Sequence, residues 1–284
     1  MKTRFAFALL GLLLLPACGR TGERHDMDDM DKMAAEHQHD QPKATEAATT
    51  PPAQEVTGED VTYATVGGKP VRGFLARPTA AQGPLPGLIV IHEWWGLNDN
   101  IRDMAKRLAG EGYTALAVDL YGGQVADTPD RAQQLMGGVL KDLGPGEENV
   151  RQAYQYLETQ QKAPKIGVIG WCFGGGWSLQ TALLLPDKID AVVMYYGRIV
   201  TDKAKLAPVQ APILGLFGGK DQSIPVASVH DFEKTLKDLG KDAQIHVYDD
   251  ASHAFANPSG GNYNAAAAQD AWQKTTAFFA KHLR

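Results

Sequence analysis

Cys172 is the residue of this chain whose type and surroundings most clearly indicate chemistry. It lies in the stretch Gly170-Trp-Cys-Phe-Gly174, after an apolar, β-prone run and before further glycines. This G-x-Nu-x-G spacing is typical of a strand–turn–helix nucleophile elbow, with cysteine in the more usual place of serine. Glycines on both sides avoid collisions in so tight a turn, and a helix that begins at the thiol favours a thiolate. The alternative is a glycine-rich turn around a buried, inert cysteine.

A nucleophilic thiol needs a base, and the base needs a residue that orients it. Asp221 follows an apolar run from residue 212 that ends in two glycines, and His253 lies in a loop after another strand-like run, residues 244–248. Taken alone, Asp221 is a turn or helix-capping residue and His253 a surface loop residue. The order nucleophile, acid, histidine, each just past a predicted strand, instead indicates a catalytic triad of Cys172, Asp221 and His253.

Composition narrows the class of protein. The chain has 284 residues, a net charge of −5 and a pI of about 5.9, which gives no basic surface for nucleic acid. Its two cysteines, Cys18 and Cys172, cannot form a disulfide within a mature domain if the first is removed from it or modified. In an oxidising compartment the unpaired Cys172 is better explained by chemistry than by structure, although a small buried apolar residue is the alternative.

The first residues predict export and a lipid anchor. A short cationic start precedes the apolar run Phe5 to Leu15, which is too short to span a membrane and fits a signal peptide over residues 1–17. The following Leu15-Pro-Ala-Cys18 resembles a bacterial lipobox, in which the cysteine is acylated. We therefore expect Cys18 to anchor the protein, with Gly19 favouring an outer membrane and a periplasmic location. An ordinary cleaved secretory signal is the alternative.

Residues 18–55 are rich in charged and small residues and poor in large apolar ones, which predicts a disordered tether. The tether also contains histidines and methionines that are possible ligands for copper, and its imidazoles could bind zinc or nickel as well: His25, Met27, Met30, Met33, His37 and His39. Their spacing matches no defined metal site, so a solvated linker is the preferred interpretation and metal binding the alternative.

The sequence of residues 56–284 predicts one domain of the α/β class. A β-hairpin over residues 61–76 comes first, and predicted strands then alternate with predicted helices to the end of the chain. This alternation predicts a mostly parallel central sheet with helices on both faces. No internal repeat, phosphate-binding loop or compact cluster of metal ligands is evident in the domain, so no cofactor is expected.

The whole domain, from about residue 58, resembles dienelactone hydrolase (carboxymethylenebutenolidase), a family of the α/β-hydrolase superfamily. The stretches that carry the resemblance are Ile91-His-Glu93-Trp-Trp-Gly-Leu-Asn98, Val118-Asp-Leu-Tyr121, Gly170-Trp-Cys-Phe-Gly-Gly175, Tyr195-Tyr-Gly197, Gly218-Gly-Lys-Asp221 and Ala251-Ser-His253-Ala-Phe255. The resemblance implies the α/β-hydrolase fold and hydrolysis of an ester or lactone by the cysteine, with histidine as base and aspartate as its orienter.

The resemblance also assigns roles that spacing alone does not. Glu93 matches a glutamate that helps to deprotonate the thiol, although a capping or salt-bridging carboxylate is the alternative. The backbone N–H groups of Trp94 and Phe173 match the family's oxyanion hole. Each such donor typically stabilises the transition state by about 3 kcal/mol.

The sequence departs from the family where substrate carboxylates are bound. The arginine expected after the Asp-Leu-Tyr motif is absent from Tyr121-Gly-Gly-Gln124, and Asn257 stands at the second arginine position. Asparagine cannot supply the charge of a bidentate arginine clamp. We expect a pocket with Trp95, Tyr121 and Asn257 in its wall, in an aromatic mouth suited to uncharged esters or lactones. Arg198 and Lys220 are the nearest candidate cations, although surface solvation is their more ordinary role.

The expected function is hydrolysis of small esters or lactones by a monomeric, lipid-anchored enzyme that needs no cofactor or metal and binds no nucleic acid. The alternative is a non-catalytic envelope binding module that keeps the hydrolase fold. Reaction of the thiol with an alkylating probe at mildly acidic pH separates the two hypotheses, because an ordinary thiol barely reacts there.

Overall fold

An eight-stranded sheet forms the centre of the computed structural model, which describes residues 32–37, 40 and 50–284. The strand order across the sheet is β1-β2-β4-β3-β5-β6-β7-β8. The strands are β1 (Val56–Val66), β2 (Lys69–Pro78), β3 (Gly87–Ile91), β4 (Thr114–Val118), β5 (Ile166–Trp171), β6 (Ala191–Tyr195), β7 (Ile213–Gly218) and β8 (Ala243–Tyr248). Strands β3 to β8 pair in parallel, whereas β1 and β2 are antiparallel to their neighbours, which confirms the predicted mostly parallel sheet.

Every residue of the five central strands, β3 to β7, is buried. Burial of both side-chain orientations means that both faces of the sheet are covered, which is the usual situation in parallel sheets. The covering helices are α1 (Asp99–Gly110), α2 (Pro129–Lys141), α3 (Gly144–Gln155), α4 (Phe173–Leu184), α5 (Lys203–Leu206), α6 (Val226–Asp238) and α7 (Ala265–Leu283).

Local sequence explains where these elements begin and turn. Gly67 and Gly68 have φ of 56° and 75°, as a two-residue hairpin turn between β1 and β2 requires. Asn98 caps α1 by accepting a hydrogen bond from the amide of Ile101 at 3.3 Å. The predicted helix near residues 147–161 is α3 followed by a π-helical turn, Tyr156–Gln160, and the short α5 is an addition to the predicted elements.

The predicted site residues lie at one edge of this sheet. Cys172 follows β5, Asp221 comes three residues after β7 ends, and His253 lies five residues after β8 ends. Glu93 follows β3, the strand that pairs with β5. Because these four strands are parallel, their carboxyl ends meet at the same edge, and loops there are the usual location of ligands in open α/β sheets.

Part of the region predicted to be a flexible tether is packed on the domain. Residues 32–36 are helical, and His37 and Asp40 are buried. The physical reason is a set of hydrogen bonds to the domain, described below, rather than burial of a large apolar face. We call residues 32–37 and 40 the N-terminal segment.

The predicted signal peptide, residues 1–17, and the predicted anchor Cys18 lie outside the described residues, as do His25, Met27, Met30 and His39. Among the residues that the structure does describe, no helix has the length and apolar character needed to cross a membrane.

Candidate active site

Cys172 occupies a sharp turn between β5 and α4. Its φ of 54° and ψ of −117° lie in a region that non-glycine residues rarely adopt, and such strain is concentrated at functional sites. A Cβ on Gly170 would overlap the backbone of Gly174, and one on Gly174 would overlap the carbonyl oxygens of Ile91 and His92. The two glycines are therefore required by the close approach that the sequence analysis inferred.

His253 and Asp221 form a buried pair beside this turn. Nδ1 of His253 lies 2.8 Å from Oδ2 of Asp221, and both residues are largely inaccessible to solvent. The other oxygen of Asp221 accepts hydrogen bonds from the amides of Ser223 at 2.9 Å and Ile224 at 2.8 Å. The carboxylate is thus fixed by the backbone, and it in turn fixes the imidazole with Nε2 directed away from it. Nε2 of His253 has no hydrogen-bond partner among the described residues.

The thiol of Cys172 lies between two imidazoles. Its sulfur is 3.7 Å from Nε2 of His37, and one ring nitrogen each of His37 and His253 lies within 4.8 Å of the sulfur and of each other. Burial by itself raises the pKa of Cys172, but the positive charge of the nearby His253, followed by the hydrogen bond and charge of His37, outweighs burial and lowers the pKa to about 6. The thiolate is therefore the main form at neutral pH.

The two imidazoles are stabilised in their protonated form. Burial lowers the pKa of His253, but Asp221 and the Cys172 thiolate outweigh it and hold that pKa well above its ordinary value. For His37, burial again lowers the pKa, and the hydrogen bonds to Asp40 and Cys172 raise it to about 9. The cleft thus favours a thiolate beside imidazolium over a neutral thiol beside neutral imidazole.

Glu93 is buried at the same edge of the sheet. The Tyr196 hydroxyl donates a hydrogen bond to its Oε1 at 3.4 Å. Burial, followed by repulsion from the Cys172 thiolate, raises the pKa of Glu93 to about 8. Between pH 6 and 8 the site therefore holds a proton on this carboxyl group and a negative charge on the sulfur.

Of the two amides predicted to form the oxyanion hole, that of Phe173 follows the thiol directly in sequence, and that of Trp94 lies in the loop after β3. Phe173 is the first residue of α4, so its N–H has no acceptor within the helix. Trp94 follows Glu93, whose carbonyl oxygen lies 2.5 Å from Nδ1 of His92, while Nε2 of His92 accepts from the amide of Leu120 at 3.2 Å. His92 therefore fixes the backbone that presents the Trp94 amide. It stands in the motif that carries the resemblance, but sequence reasoning assigned it no role.

The predicted pocket residues are all buried near these groups. The Tyr121 ring lies 5.5 Å from that of Phe173, and the Trp95 ring lies 5.1 Å from that of Trp94. Trp94 and the three predicted pocket residues each have a buried donor without a partner among the described residues: Trp94 Nε1, Trp95 Nε1, Tyr121 Oη and Asn257 Nδ2. Buried donors without partners are costly, so they are candidates for contact with a bound molecule.

Asn257 and Glu93 also line a cavity of about 470 Å³, whose wall includes Trp171, the residue before Cys172. Its lining includes α1 and α7, and among the described residues that line it Arg107 is the one cation, with its guanidinium stacked 4.1 Å over the ring of Trp272. Arg198 and Lys220, the candidate cations of the sequence analysis, are exposed, and Lys220 pairs with Asp250 at 2.9 Å.

The N-terminal segment occupies the space above the thiol. Sδ of Met33 lies 3.4 Å from the Cys172 sulfur, and the His37 ring lies 4.5 Å from that of Trp94 and 5.2 Å from that of His253. Met33 and His37 are possible metal ligands by residue type, but the composition around them predicts a solvated linker rather than a packed segment. Because these two side chains contact the buried sulfur, we expect them to withdraw before a substrate reaches it.

Hydrogen bonds hold this segment in the cleft. The Glu36 carboxylate accepts from the amides of Gln222 at 3.1 Å and Ser223 at 3.2 Å, and from the Ser223 hydroxyl. Asp40 accepts from the amide of Gly261 at 3.0 Å, and the Asn262 side chain donates to the Glu36 carbonyl at 3.1 Å. The contacts involve the loop that carries Asp221 and the loop that follows His253.

The fold and the position of the cleft define an α/β-hydrolase. The crystal structure of a provisionally named dienelactone hydrolase from Klebsiella pneumoniae superposes with a TM-score of 0.72 at 30% identity, covering 81% of this chain and all of that one. Brefeldin A esterase, a bacterial homologue of human hormone-sensitive lipase, superposes with a TM-score of 0.65 over 91% of this chain and 84% of its own. At 16% identity it supports the fold alone.

The chain belongs to the dienelactone hydrolase family, whose profile matches residues 71–283. Protein usf of Aquifex pyrophilus is 37% identical over 76% of this chain and 95% of its own length. A provisionally named carboxymethylenebutenolidase of Saccharolobus solfataricus is 34% identical over 78% of this chain and 97% of its own. Membership of this family makes the protein a hydrolase, and the predicted family resemblance is confirmed.

Proposed function

We propose that this protein hydrolyses small uncharged esters or lactones through a thioester on Cys172. The observation that carries the proposal is the buried His253–Asp221 pair, joined at 2.8 Å, whose free imidazole nitrogen faces a thiol on a strained elbow. This is the arrangement that nucleophilic catalysis requires: nucleophile, base and a group that orients the base. The name carboxymethylenebutenolidase, given to a relative of this chain, refers to a lactone and supports esters and lactones as the substrate class.

The reaction begins with the Cys172 thiolate attacking the carbonyl carbon. A C–S bond forms, and the carbonyl oxygen becomes an oxyanion that accepts hydrogen bonds from the amides of Trp94 and Phe173. Collapse breaks the C–O bond, and the leaving alkoxide takes a proton from the His253 imidazolium. His253 then removes a proton from water, the hydroxide attacks the thioester, and the second tetrahedral intermediate expels the thiolate. Asp221 orients the imidazole and stabilises its charge throughout.

Glu93 has a separate role, in forming the nucleophile. The carboxyl group has a pKa of about 8 and the thiol one of about 6, so a proton moved from sulfur to Glu93 stays there at neutral pH. We propose that Glu93 accepts the thiol proton when the nucleophile is generated. The Tyr196 hydroxyl, which contacts Oε1, helps to position the carboxyl group for this transfer.

The substrate class follows from the donors and cations near the thiol. The stretch Tyr121-Gly-Gly-Gln124 lacks one arginine of the family's carboxylate clamp, Asn257 stands at the position of the other, and Arg107 is already stacked on Trp272. The neutral buried donors of Trp95, Tyr121 and Asn257 are suited to a polar but uncharged ester or lactone. We therefore propose that substrates without a carboxylate are preferred.

The test compares wild-type protein with Cys172→Ala, using an aryl acetate and a small uncharged lactone as substrates. We expect Cys172→Ala to abolish turnover of both, and rapid-quench mass spectrometry of the wild type to show an acetyl group on the Cys172 peptide. His253→Ala should lose nearly as much rate, whereas the exposed His230→Ala should retain it. Unchanged turnover by Cys172→Ala would overturn the mechanism, whatever the substrate.

We further propose that Cys18 carries a lipid that anchors the enzyme to an outer membrane, facing the periplasm. The lipobox-like stretch that ends at Cys18 supports this location. Expression in a Gram-negative host with labelled palmitate should label the wild type, and Cys18→Ser should lose the label and leave the membrane fraction. Membrane association that persists without Cys18 would contradict the anchor.

A further inference from the structure

The N-terminal segment and the active site together assemble a set of soft donor atoms. A ring nitrogen of His37, the sulfur of Cys172 and a ring nitrogen of His253 lie within 4.8 Å of one another, and all three residues are buried. Sδ of Met33 lies 3.4 Å from the same sulfur. We propose that these four side chains form a binding site for a thiophilic transition-metal ion of the zinc or copper class.

The spacing is close to what such an ion needs. Tetrahedral zinc holds nitrogen at about 2.0–2.1 Å and sulfur at about 2.3 Å, so a nitrogen ligand atom lies about 3.3–3.6 Å from its neighbours and two sulfurs lie about 3.8 Å apart. The His37–Cys172 separation of 3.7 Å is already close to this range, and the His253 nitrogen lies within 4.8 Å of both the His37 nitrogen and the Cys172 sulfur. Side-chain movements of about 1 Å close the site around an ion.

Both imidazoles are oriented as metal ligands usually are. Nδ1 of His37 lies 2.5 Å from Asp40, and Nδ1 of His253 lies 2.8 Å from Asp221. A carboxylate that accepts the Nδ1 proton fixes the tautomer and leaves Nε2 as the donor atom, which is the common outer-shell arrangement of protein metal sites. For His253 this carboxylate also serves hydrolysis. For His37, which the hydrolytic steps do not use, the buried Asp40 has no role in that reaction.

The donor types decide which ions fit. Two imidazoles, a thiolate and a thioether suit zinc and copper, whereas magnesium and calcium prefer oxygen. Cys172 binds as the thiolate and both histidines through neutral nitrogen, so binding releases to solvent the protons these groups carry, and no electron is transferred. A bound ion occupies the nucleophile and the base together, so it inhibits hydrolysis while it tethers the N-terminal segment to the cleft.

Cobalt(II) is the direct probe of this site, because its spectrum reports geometry and thiolate ligation without reference to hydrolysis. Full-length protein, reduced and freed of metal, should bind one Co²⁺ with tetrahedral visible bands and a sulfur-to-cobalt charge-transfer band. Cys172→Ser should lose the charge-transfer band, and His37→Ala should weaken binding about tenfold or more. Asp40→Asn should weaken it by about 10- to 100-fold. The matched control His230→Ala removes an exposed histidine of α6 and should bind as the wild type does.

Inhibition of ester hydrolysis by zinc is the second measurement. Zn²⁺ should inhibit ester hydrolysis by the wild type, a chelator should restore it, and His37→Ala should need at least about tenfold more zinc for the same inhibition. A wild-type cobalt spectrum without thiolate ligation would overturn the proposal. Cobalt binding that is unchanged in His37→Ala would also overturn it, because the ion would then lie elsewhere. If the hydrolase mechanism failed instead, the cobalt spectra would be unaffected.

Discussion

The ionisation of Cys172 provides the sharpest test of how this cleft is built. Its pKa falls from an ordinary value of 9.0 to about 6, and the largest favourable contribution comes from His253. A lowering of this size corresponds to about 4 kcal/mol of preference for the thiolate, since each pH unit is worth about 1.4 kcal/mol. At pH 7 about nine-tenths of the molecules therefore carry a thiolate.

Replacement of His253 by alanine removes most of that preference, whereas burial, which opposes ionisation, remains. We expect the pKa of Cys172 in His253→Ala to rise to at least about 8, so that the thiolate fraction at pH 7 falls about tenfold. His37→Ala should shift the pKa in the same direction by less, because the contributions of His37 rank behind those of His253.

The assay is the rate of alkylation of Cys172 by iodoacetamide from about pH 4 to about pH 10, read by mass spectrometry of the Cys172 peptide. The pH at half-maximal rate gives the pKa directly and does not depend on how accessible the sulfur is. His230→Ala serves as the control and should keep the wild-type midpoint. A midpoint that stays near 6 in His253→Ala would refute the reasoning, because the imidazole would then not stabilise the thiolate.

Three further outcomes test other parts of the structure. Gly174→Ala should lower the free energy of unfolding by about 3 kcal/mol in urea titrations, because its Cβ meets backbone oxygens, whereas Gly138→Ala, in open space on α2, should raise it by about 0.5–1 kcal/mol. Glu93 has a pKa of about 8, so its carboxyl group becomes negatively charged as the pH rises past that value and then repels the thiolate. We therefore expect kcat/KM to fall above pH 8 in the wild type and not in Glu93→Gln. Glu36→Ala should loosen the N-terminal segment by about 1–2 kcal/mol and raise kcat/KM for an aryl acetate about 5- to 30-fold, whereas the exposed Glu148→Ala should leave it unchanged.

The sequence alone was sufficient to predict the parallel sheet and to place three candidate residues at the ends of its strands. Cys172, Asp221 and His253 each follow an apolar run, and parallel strands place their carboxyl ends together, so their convergence follows from a pattern that is local in sequence. Gly170 and Gly174 were predictable for the same reason, since the tight turn between β5 and α4 depends on neighbouring residues. Glu93, by contrast, was placed near the thiol by family resemblance, because nothing in its immediate surroundings distinguishes it from a capping carboxylate.

The N-terminal segment could not be predicted because its interactions are not local. Met33 and His37 contact Cys172 across 139 and 135 positions of sequence, and polar contacts rather than an apolar stripe hold the segment in place. Composition therefore indicated a solvated linker. The histidines and methionines of the tether were visible in the sequence. Because two of the four proposed ligands lie in the domain, the two in the tether form no recognisable metal-binding motif by themselves.

The proposed hydrolysis and the proposed metal site both require a thiolate beside a buried imidazole. A thiolate with a buried imidazole beside it is a good nucleophile, and the same pair of donor atoms is half of a thiophilic metal site. A cysteine hydrolase in a compartment that contains such ions is therefore vulnerable to them, and a serine in the elbow would be less so. The N-terminal segment turns this vulnerability into a defined equilibrium, because Met33 and His37 complete the coordination only while Glu36 and Asp40 hold them in the cleft. Substitution of Glu36 should consequently increase hydrolysis and decrease metal affinity together, a coupled change that a purely structural linker would not produce.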